Sequence, residues 1–247
     1  MKPYLTMEEI ISIPRLSEPA VSEDGCKVAW VETITDWDKN EYPEHVQVYD
    51  TRTETKITLE AGSASSNSPA WSTTNRLAWL GLRDGLGQVF VLAEGKPIQV
   101  TSIKTGVISF QWAPDGEGIY FIAPDLKCQE ALEKRKELYG DFSYAERDRT
   151  WNSLYFTKIG PDEDLIKTNS TPKDLRPQDQ EPERKLLGDE KHHVLGFAVS
   201  PDSTSIATIA APGSDVEAKE DAKVYLFDMA TSELKELPVP KPLDNSG

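Results

Sequence analysis

The sequence predicts an all-β chain: a β-propeller of about four four-stranded antiparallel blades, forming a partial or open propeller. Three observations support this prediction. A strand, a polar turn and an apolar strand recur in that order four times, two further strands follow each recurrence, and the recurrences are spaced roughly as propeller blades are. The recurring segments are residues 21–30, 71–79, 112–121 and 199–208.

The turn inside each recurring segment contains the residues that a hairpin turn requires. Proline at the first turn position presets φ, aspartate can accept hydrogen bonds from the backbone that follows it, and glycine tolerates a positive φ. These residues are Pro114 and Pro201, then Asp24, Asp115 and Asp202, then Gly25 and Gly116. Each segment is therefore predicted to be the first hairpin of a blade.

Two more strands complete each predicted blade. The third strands are the alternating segments 46–50, 88–92, 153–157 and 224–228, and the fourth strands are 56–59, 98–101, 184–187 and 234–237. Four strands per unit is the composition of a propeller blade. The predicted division is a helical leader over residues 1–15 and a propeller region over 16–247, with blades at about 16–62, 63–106, 107–194 and 195–240.

The third unit is longer than a blade, and its extra length predicts two insertions. The units begin 50, 41 and 87 residues apart, whereas propeller blades repeat every roughly 40 to 50 residues. The first insertion, at about 124–151, has strong helix formers over 126–138 and is expected to be a short helix or a mobile arm. The second, at about 160–183, is rich in proline and charge and is expected to be an irregular, partly disordered loop.

A short helix is predicted before the first blade. Thr6 is followed three residues later by Glu9, which is the spacing of a capping box. Pro14 then marks the end of the helical segment. The leader is therefore expected to be helical from Thr6 to Ile13.

Composition and charge exclude several classes of function. The chain has 247 residues and a net charge of −15, whereas nucleic-acid binders need a basic face. It has neither an apolar run of about 18 residues nor the apolar core of a signal peptide, so we expect a soluble, cytoplasmic protein that does not bind membranes. Cys26 and Cys128 lack metal-site spacing and are expected to be reduced thiols.

No cofactor and no metal ion is expected. His192 and His193, next to Asp189 and Glu190, are adjacent in sequence and would point to opposite faces of a strand. The acidic run 162–164 lacks the alternating oxygen ligands and the glycine of a calcium loop. Both groups are therefore expected to lie in solvent-exposed turns or loops.

The N-terminal segment resembles a known family. Residues 5–25, followed by 28–30, are similar to the N-terminus of prolyl oligopeptidase family serine peptidases of the acylaminoacyl-peptidase branch. Residues 112–116 and 199–202 resemble the TolB-type propeller repeats of these enzymes, and 147–155 is similar to a charged insertion in that branch. The resemblance extends over nearly the whole chain.

The resemblance implies a propeller followed by a C-terminal α/β-hydrolase domain with a Ser, Asp and His triad. It also implies that the propeller gates access, admitting short or unstructured peptides to the hydrolase domain. This chain has no G-x-S-x-G nucleophile elbow, and His45, His192 and His193 have no elbow serine to serve. No catalytic residue is therefore assigned, and the partners expected for this propeller region are the hydrolase domain and the peptide substrates of the parent enzyme.

A second hypothesis is a free-standing TolB-like propeller scaffold that binds a protein partner. Four blades taken from a larger ring leave apolar faces on the first and last blades, which also allows self-association through those open faces. The tryptophans at blade positions are predicted to pack between sheets; they are Trp30, Trp71, Trp79 and Trp112.

Trp37 does not fit the repeat. It lies in the polar loop 35–40, between the second and third strands of the first predicted blade. Loops of this kind carry the contacts of many scaffolds. Trp37, together with Asp36 and Asp38, is therefore the predicted contact site for a partner or substrate.

Overall fold

Four antiparallel sheets, each made of four strands consecutive in sequence, form the fold. The computed structural model of the chain describes residues 4–59, 65–140, 150–168, 183–214 and 216–238. Within them each sheet has its strands hydrogen-bonded in chain order. We name the sheets blades 1 to 4. The prediction of four-stranded antiparallel blades is confirmed.

The strands of each blade are as follows. Blade 1 contains β1 (Arg15–Val21), β2 (Lys27–Thr33), β3 (Glu44–Asp50) and β4 (Thr55–Leu59). Blade 2 contains β5 (Ser66–Trp71), β6 (Leu77–Arg83), β7 (Leu86–Ala93) and β8 (Lys96–Gln99). Blade 3 contains β9 (Ser109–Trp112), β10 (Gly118–Pro124), β11 (Asn152–Lys158) and β12 (Arg184–Leu187). Blade 4 contains β13 (His193–Val199), β14 (Ser205–Ala211), β15 (Lys223–Asp228) and β16 (Leu234–Glu236).

The first hairpin of every blade closes through the same turn. In blade 1 the Gly25 N–H donates to the Ser22 carbonyl at 2.8 Å, and Gly25 has a φ of 69°. The equivalent residues of the other blades also have positive φ; they are Asn75, Gly116 and Ser203. A type I turn followed by a left-handed residue matches the right-handed twist of a hairpin. The predicted aspartate bonds are confirmed as well: Asp24, Asp115 and Asp202 accept from the N–H groups of Cys26, Glu117 and Thr204.

Apolar cores hold successive blades face to face. One core joins blades 1 and 2, the next joins blades 2 and 3, and a third joins blades 3 and 4. Trp79 is fully buried in the core between blades 1 and 2, and Trp112 is 6% exposed in the core between blades 2 and 3. Across the described residues the propeller is open rather than closed into a ring.

Two tryptophans also link neighbouring blades by hydrogen bonds. The Trp71 indole N–H donates to the Ala20 carbonyl of blade 1 at 3.3 Å, and the Trp112 indole N–H donates to the Ala70 carbonyl of blade 2 at 3.0 Å. Each donor ends the first strand of its blade. The predicted packing of Trp71, Trp79 and Trp112 between sheets is therefore confirmed.

The same prediction is wrong for Trp30. Its neighbours Ala29 and Val31 are fully buried against blade 2, so strand alternation places Trp30 on the opposite face of blade 1. There the Lys56 ammonium lies 5.3 Å from the centroid of the indole ring and 3.3 Å from the Glu32 carboxylate. Trp30 is covered by a charged pair instead of by another sheet.

The first insertion of blade 3 contains the helix α2 (Leu126–Tyr139). Its N-terminus is capped by the Asp125 side chain, which accepts from the Lys127 N–H, and it ends at Gly140, whose φ is 75°. The prediction of a short helix is confirmed for this part of the insertion. Residues 141–149 lie outside the described residues.

The second insertion contains the helix α3 (Asp162–Thr168), so the prediction of an irregular loop is wrong for this segment, although Glu163 and Asp164 are exposed as expected. The three acidic residues of its first turn complement the positive end of the helix dipole. Leu165 is buried in the core between blades 2 and 3, and the Asp162 carboxylate lies 2.8 Å from the Arg76 guanidinium group of blade 2. These contacts stabilise α3, although the proline-rich and charged composition of residues 160–183 favours an irregular loop. Residues 169–182 lie outside the described residues.

Two shorter helices complete the structure. The leader forms α1 (Met7–Ile11), and α4 (Val216–Glu220) lies between β14 and β15. Both bonds of the predicted capping box are present, because the Thr6 hydroxyl accepts from the Glu9 N–H and the Glu9 carboxylate accepts from the Thr6 N–H. In the described parts of the chain, no helix combines the length and apolar character needed to cross a membrane.

Candidate functional site at the leader and the β2–β3 loop

The loop between β2 and β3 presents Trp37 beside a rigid turn. Asp36 and Glu41 form a bridge through two backbone hydrogen bonds, at 2.9 and 3.1 Å. The Asp36 carboxylate also accepts from the backbone N–H groups of Lys39 and Asp38, each at 3.1 Å. The Lys39 N–H bond and the Lys39 ammonium group, 3.4 Å from Oδ2, lower the pKa of Asp36. Asp36 therefore shapes the loop, whereas Asp38 is exposed.

This loop holds the leader against blade 1. The Trp37 indole N–H donates to the Ser12 hydroxyl at 3.0 Å. The Thr35 hydroxyl donates to the Ile11 carbonyl at 2.7 Å, which satisfies one of the carbonyls left open at the end of α1. Two side chains of the loop thus fix the position of a helix that has little packing of its own.

The surface formed by the leader and this loop is apolar and open to solvent. None of the residues of α1 is buried, and Trp37 is 54% exposed. We name as the leader face six of the exposed large apolar residues of this region: Met7, Ile10, Ile11, Ile13, Leu16 and Trp37. Contiguous exposed apolar surface on a folded protein marks an interaction site or an aggregation hazard. The leader face is the surface of this region best suited to contact another protein.

The three predicted contact residues have different roles in the structure. Trp37 contributes to the leader face, and Asp36 orders the loop behind it. Among the described contacts, none joins Asp38 to the leader. Ser12 and Thr35 were not singled out from the sequence. Their partners are 25 and 24 residues distant, and no local pattern signals such a pairing.

Two of the three histidines have different surroundings, both partly solvent-accessible. His45 lies within β3 opposite Glu32. His192 lies 2.9 Å from the Asp189 carboxylate, and its ring meets Tyr225 edge-on. In the part of the chain that the structure describes, no three His, Cys, Asp or Glu side chains are arranged to hold a metal ion.

His193 is buried at the start of blade 4, so the expectation of a solvent-exposed turn is wrong for this residue. Its Nδ1 accepts a hydrogen bond from the Asn152 backbone N–H of blade 3 at 2.9 Å. Burial, with a smaller effect from the Lys219 charge, lowers the pKa of His193. The neutral imidazole therefore serves as a link between blades 3 and 4.

A buried polar network at the start of α2 was also not predicted from the sequence. The Asp125 carboxylate, 3% exposed, forms an ion pair with Lys185 of β12 and accepts from the Ser153 hydroxyl at 3.2 Å. Burial alone would raise the pKa of Asp125, but the Lys185 pair and the Ser153 bond outweigh it and the pKa is lowered. The network joins α2 to β11 and β12, and it is structural, because Ser153 is fully buried.

Comparison with known proteins gives one relative in sequence. Over 145 residues the chain is 28% identical to an uncharacterized peptidase, YuxL, of Bacillus subtilis. The match covers 57% of this chain and 22% of that protein. No family model matches the chain.

Comparison with solved structures identifies the fold. Acylaminoacyl peptidase of Pyrococcus horikoshii matches with a TM-score of 0.58 at 16% identity, over 93% of this chain and 33% of that one. TolB of Acinetobacter baumannii matches with a TM-score of 0.50 at 15% identity, over 94% of this chain and 45% of that one. The chain thus spans about a third of the peptidase and about a fifth of the relative in sequence.

The fold and these likenesses define an open β-propeller of the type found in peptidases and in TolB. More specifically, the resemblance to the propeller region of acylaminoacyl-peptidase-like enzymes is confirmed, since the solved structures match in fold and a peptidase matches in sequence.

Proposed function

We propose that this chain is the non-catalytic propeller region of an acylaminoacyl-peptidase-like serine peptidase, in which it gates the access of peptides to a hydrolase domain. The proposal rests on one observation: the chain resembles a peptidase in sequence and acylaminoacyl peptidase in fold, while spanning only a fraction of either. The sequence contains no G-x-S-x-G elbow, so the catalytic serine must come from another part of the enzyme.

The leader face is the proposed contact with the hydrolase domain. In this proposal residues 1–15 form the leader and 16–247 the propeller region, a boundary that lies within one residue of the start of β1 at Arg15. Because no residue of α1 is buried, the leader gains stability when a second surface covers it. Trp37 lies at the centre of this contact, since it is both exposed and bonded to the leader.

The acidic charge of the chain supports a role in selecting peptides. A net charge of −15 creates a negative potential around the propeller, which attracts basic peptides and repels acidic ones at low ionic strength. The free thiols Cys26 and Cys128 support a reducing, cytoplasmic location.

Gating is tested by comparing the longer enzyme with a form that lacks the propeller. Both forms are expected to cleave short acyl-aminoacyl substrates, whereas only the form without the propeller should degrade a folded protein. Equal cleavage of folded proteins by the two forms would refute gating. Equal uptake of acidic and basic peptides at every salt concentration would remove the electrostatic selection alone.

The leader contact is tested by copurification of this chain with a separately expressed hydrolase domain. Trp37→Ala should weaken the complex at least about tenfold, as expected for a buried aromatic anchor. Tyr139→Ala removes an exposed aromatic ring from α2 and is the matched control, expected to leave binding unchanged. Equal effects of the two substitutions would exclude the leader face as the contact.

The alternative function is a TolB-like scaffold that binds a separate protein partner. The exposed leader face favours it, because a binding scaffold also needs an apolar contact surface. A native protein that lacks any hydrolase domain, yet binds a partner in a Trp37-dependent manner, would establish this function and refute the first.

A further inference from the structure

An open cavity, which we name the blade 1–2 cleft, lies between blades 1 and 2. Its volume is about 380 Å³, which is within the range of ligand-binding pockets. Blade 1 contributes Val48 and Ile57 to its apolar walls, and blade 2 contributes Trp71, Leu77 and Leu92. Ile57 pairs with the buried Val48 on the side of blade 1 that packs against blade 2, yet Ile57 is 45% exposed. The cleft therefore leaves apolar surface open to solvent inside the array.

The equivalent cleft between blades 2 and 3 is occupied by α3. Ile98 of blade 2 pairs with Val91 as Ile57 of blade 1 pairs with Val48, so the two isoleucines hold the same position in their blades. Ile98 is 3% exposed and lies in one apolar core with Leu165 of α3, which is 2% exposed. In the described part of the chain, no helix buries Ile57 in this way. The blade 1–2 cleft thus has the form of a site for a peptide segment with a leucine-like side chain.

The cation beside each cleft is neutralised from a different source. Lys27 of blade 1 and Arg76 of blade 2 hold the same position, because each backbone carbonyl accepts from the turn serine of its own blade. The Arg76 guanidinium group lies 2.8 Å from the carboxylate of Asp162, which α3 supplies. Lys27 instead pairs across the strands with Asp50, whereas the register puts Ala93 at that place in blade 2. An occupant of the blade 1–2 cleft therefore needs no carboxylate of its own.

The charge of the blade 1–2 cleft favours a cation. Asp50 Oδ1 accepts from the Arg52 and Thr53 N–H groups at 2.8 and 3.2 Å, and these bonds lower the pKa of Asp50, which keeps it ionised. Within the described residues, neither Asp50 Oδ2 nor the Glu94 carboxylate has a hydrogen bond or an ion pair. The charged side chains of the lining carry one more negative charge than positive; they are Lys27, Asp50, Arg76, Glu94 and Asp162. A ligand with a single positive charge is therefore complementary to this site.

We propose that the blade 1–2 cleft binds a short peptide that has a free amino terminus and an aliphatic first side chain. The aliphatic side chain packs on Ile57, in the place that Leu165 has in the equivalent cleft, and the ammonium group lies beside Glu94. This inference goes beyond the proposed function and does not depend on it. Binding is measured on this chain without peptide cleavage, so its failure and the failure of gating are distinguishable.

Isothermal titration calorimetry of the full chain with leucyl-leucinamide, which carries one positive charge, tests the proposal. Saturable binding with a dissociation constant of about 0.1–1 mM is expected for a ligand of this size. N-acetyl-leucyl-leucinamide lacks the charge and should bind at least about threefold more weakly. Glycyl-glycinamide lacks the aliphatic side chains and should bind at least about tenfold more weakly.

Two substitutions locate the ligand. Glu94→Gln should weaken the binding of leucyl-leucinamide at least about threefold and leave that of its acetylated form unchanged. Glu54→Gln is the matched control and should alter neither, because Glu54 is also an exposed glutamate with a positive φ in an outer hairpin turn but does not line the cleft. Ile57→Trp should fill the cleft and abolish binding.

Four results would overturn the proposal. The first is the absence of saturable binding up to about 10 mM leucyl-leucinamide. The second is an equal effect of Glu94→Gln and Glu54→Gln, which would reduce the role of Glu94 to its contribution to the net charge. The third is unchanged affinity in Ile57→Trp, which would place the peptide elsewhere. The fourth is tighter binding of the acid N-acetyl-leucyl-leucine, which would assign the cleft to an anion. Should Ile57→Trp not fold, the comparison of the two glutamate variants decides.

Discussion

Replacing Trp112 by phenylalanine tests how the blades are held together. The substitution keeps an aromatic ring in the core between blades 2 and 3 but removes the indole N–H that donates to the Ala70 carbonyl at 3.0 Å. The Arg76 guanidinium group, 5.6 Å from the centroid of the Trp112 ring, loses part of its cation–π contact as well.

The magnitude follows from the burial of Trp112, which is 6% exposed. The Ala70 carbonyl is part-buried, so leaving it without its donor costs about 1–2 kcal/mol. The smaller ring leaves a partial cavity that adds about 1 kcal/mol, and the weaker cation–π contact adds about 0.5 kcal/mol. We therefore expect the free energy of unfolding to fall by about 2.5–3.5 kcal/mol.

Urea denaturation followed by far-ultraviolet circular dichroism measures this change without relying on tryptophan emission. The matched control is Trp37→Phe, which also removes an indole N–H donor but at a site that is 54% exposed; its cost should stay below about 1 kcal/mol. The argument for indole-linked blades would be refuted by equal losses for the two variants, or by a Trp112→Phe loss below about 1 kcal/mol.

Two further predictions concern the junction region of blades 3 and 4. Gly188→Ala should destabilise the fold by about 3 kcal/mol or more in chemical denaturation. Gly188 has a φ of 125°, and an added Cβ would lie 2.6 Å from Ser153 Cα. Gly196→Ala is the control, because the space around Gly196 is open. His193 should make the free energy of unfolding depend on pH, because its pKa in the folded state is below the unfolded value of 6.5. The unfolded state therefore binds more protons, and the free energy of unfolding falls as the pH drops from 6.5 through the lowered pKa. Replacing His193 by glutamine should flatten that part of the curve, and an unchanged slope would contradict the assignment.

The repeated turns explain why the blades were predictable from sequence. Each turn is specified within about five residues. Three of the four turns contain an aspartate that accepts from the next N–H groups, and all four contain a residue, such as Gly25, with a positive φ. Alternation then fixes which side chains face the neighbouring blade. Turn chemistry of this kind can be recognised from the sequence without knowing the tertiary fold.

Features that depend on distant partners were not predictable. The composition of 160–183 favours a loop, yet α3 forms because Leu165 enters the core and Asp162 reaches Arg76, which is 86 residues earlier in the sequence. The position of Trp30 in the repeat implied packing between sheets, but no described blade covers that face. In the candidate site Trp37 was identified by its departure from the repeat, whereas its bond to Ser12 required the folded leader.

The mass and reactivity of the native protein test the central claim most directly. An antibody raised against this chain should isolate a polypeptide much larger than 27.5 kDa that a fluorophosphonate probe labels on a serine, while the isolated chain remains unlabelled. A native polypeptide of the size of this chain, unreactive towards the probe, would contradict the account and leave the binding scaffold in its place.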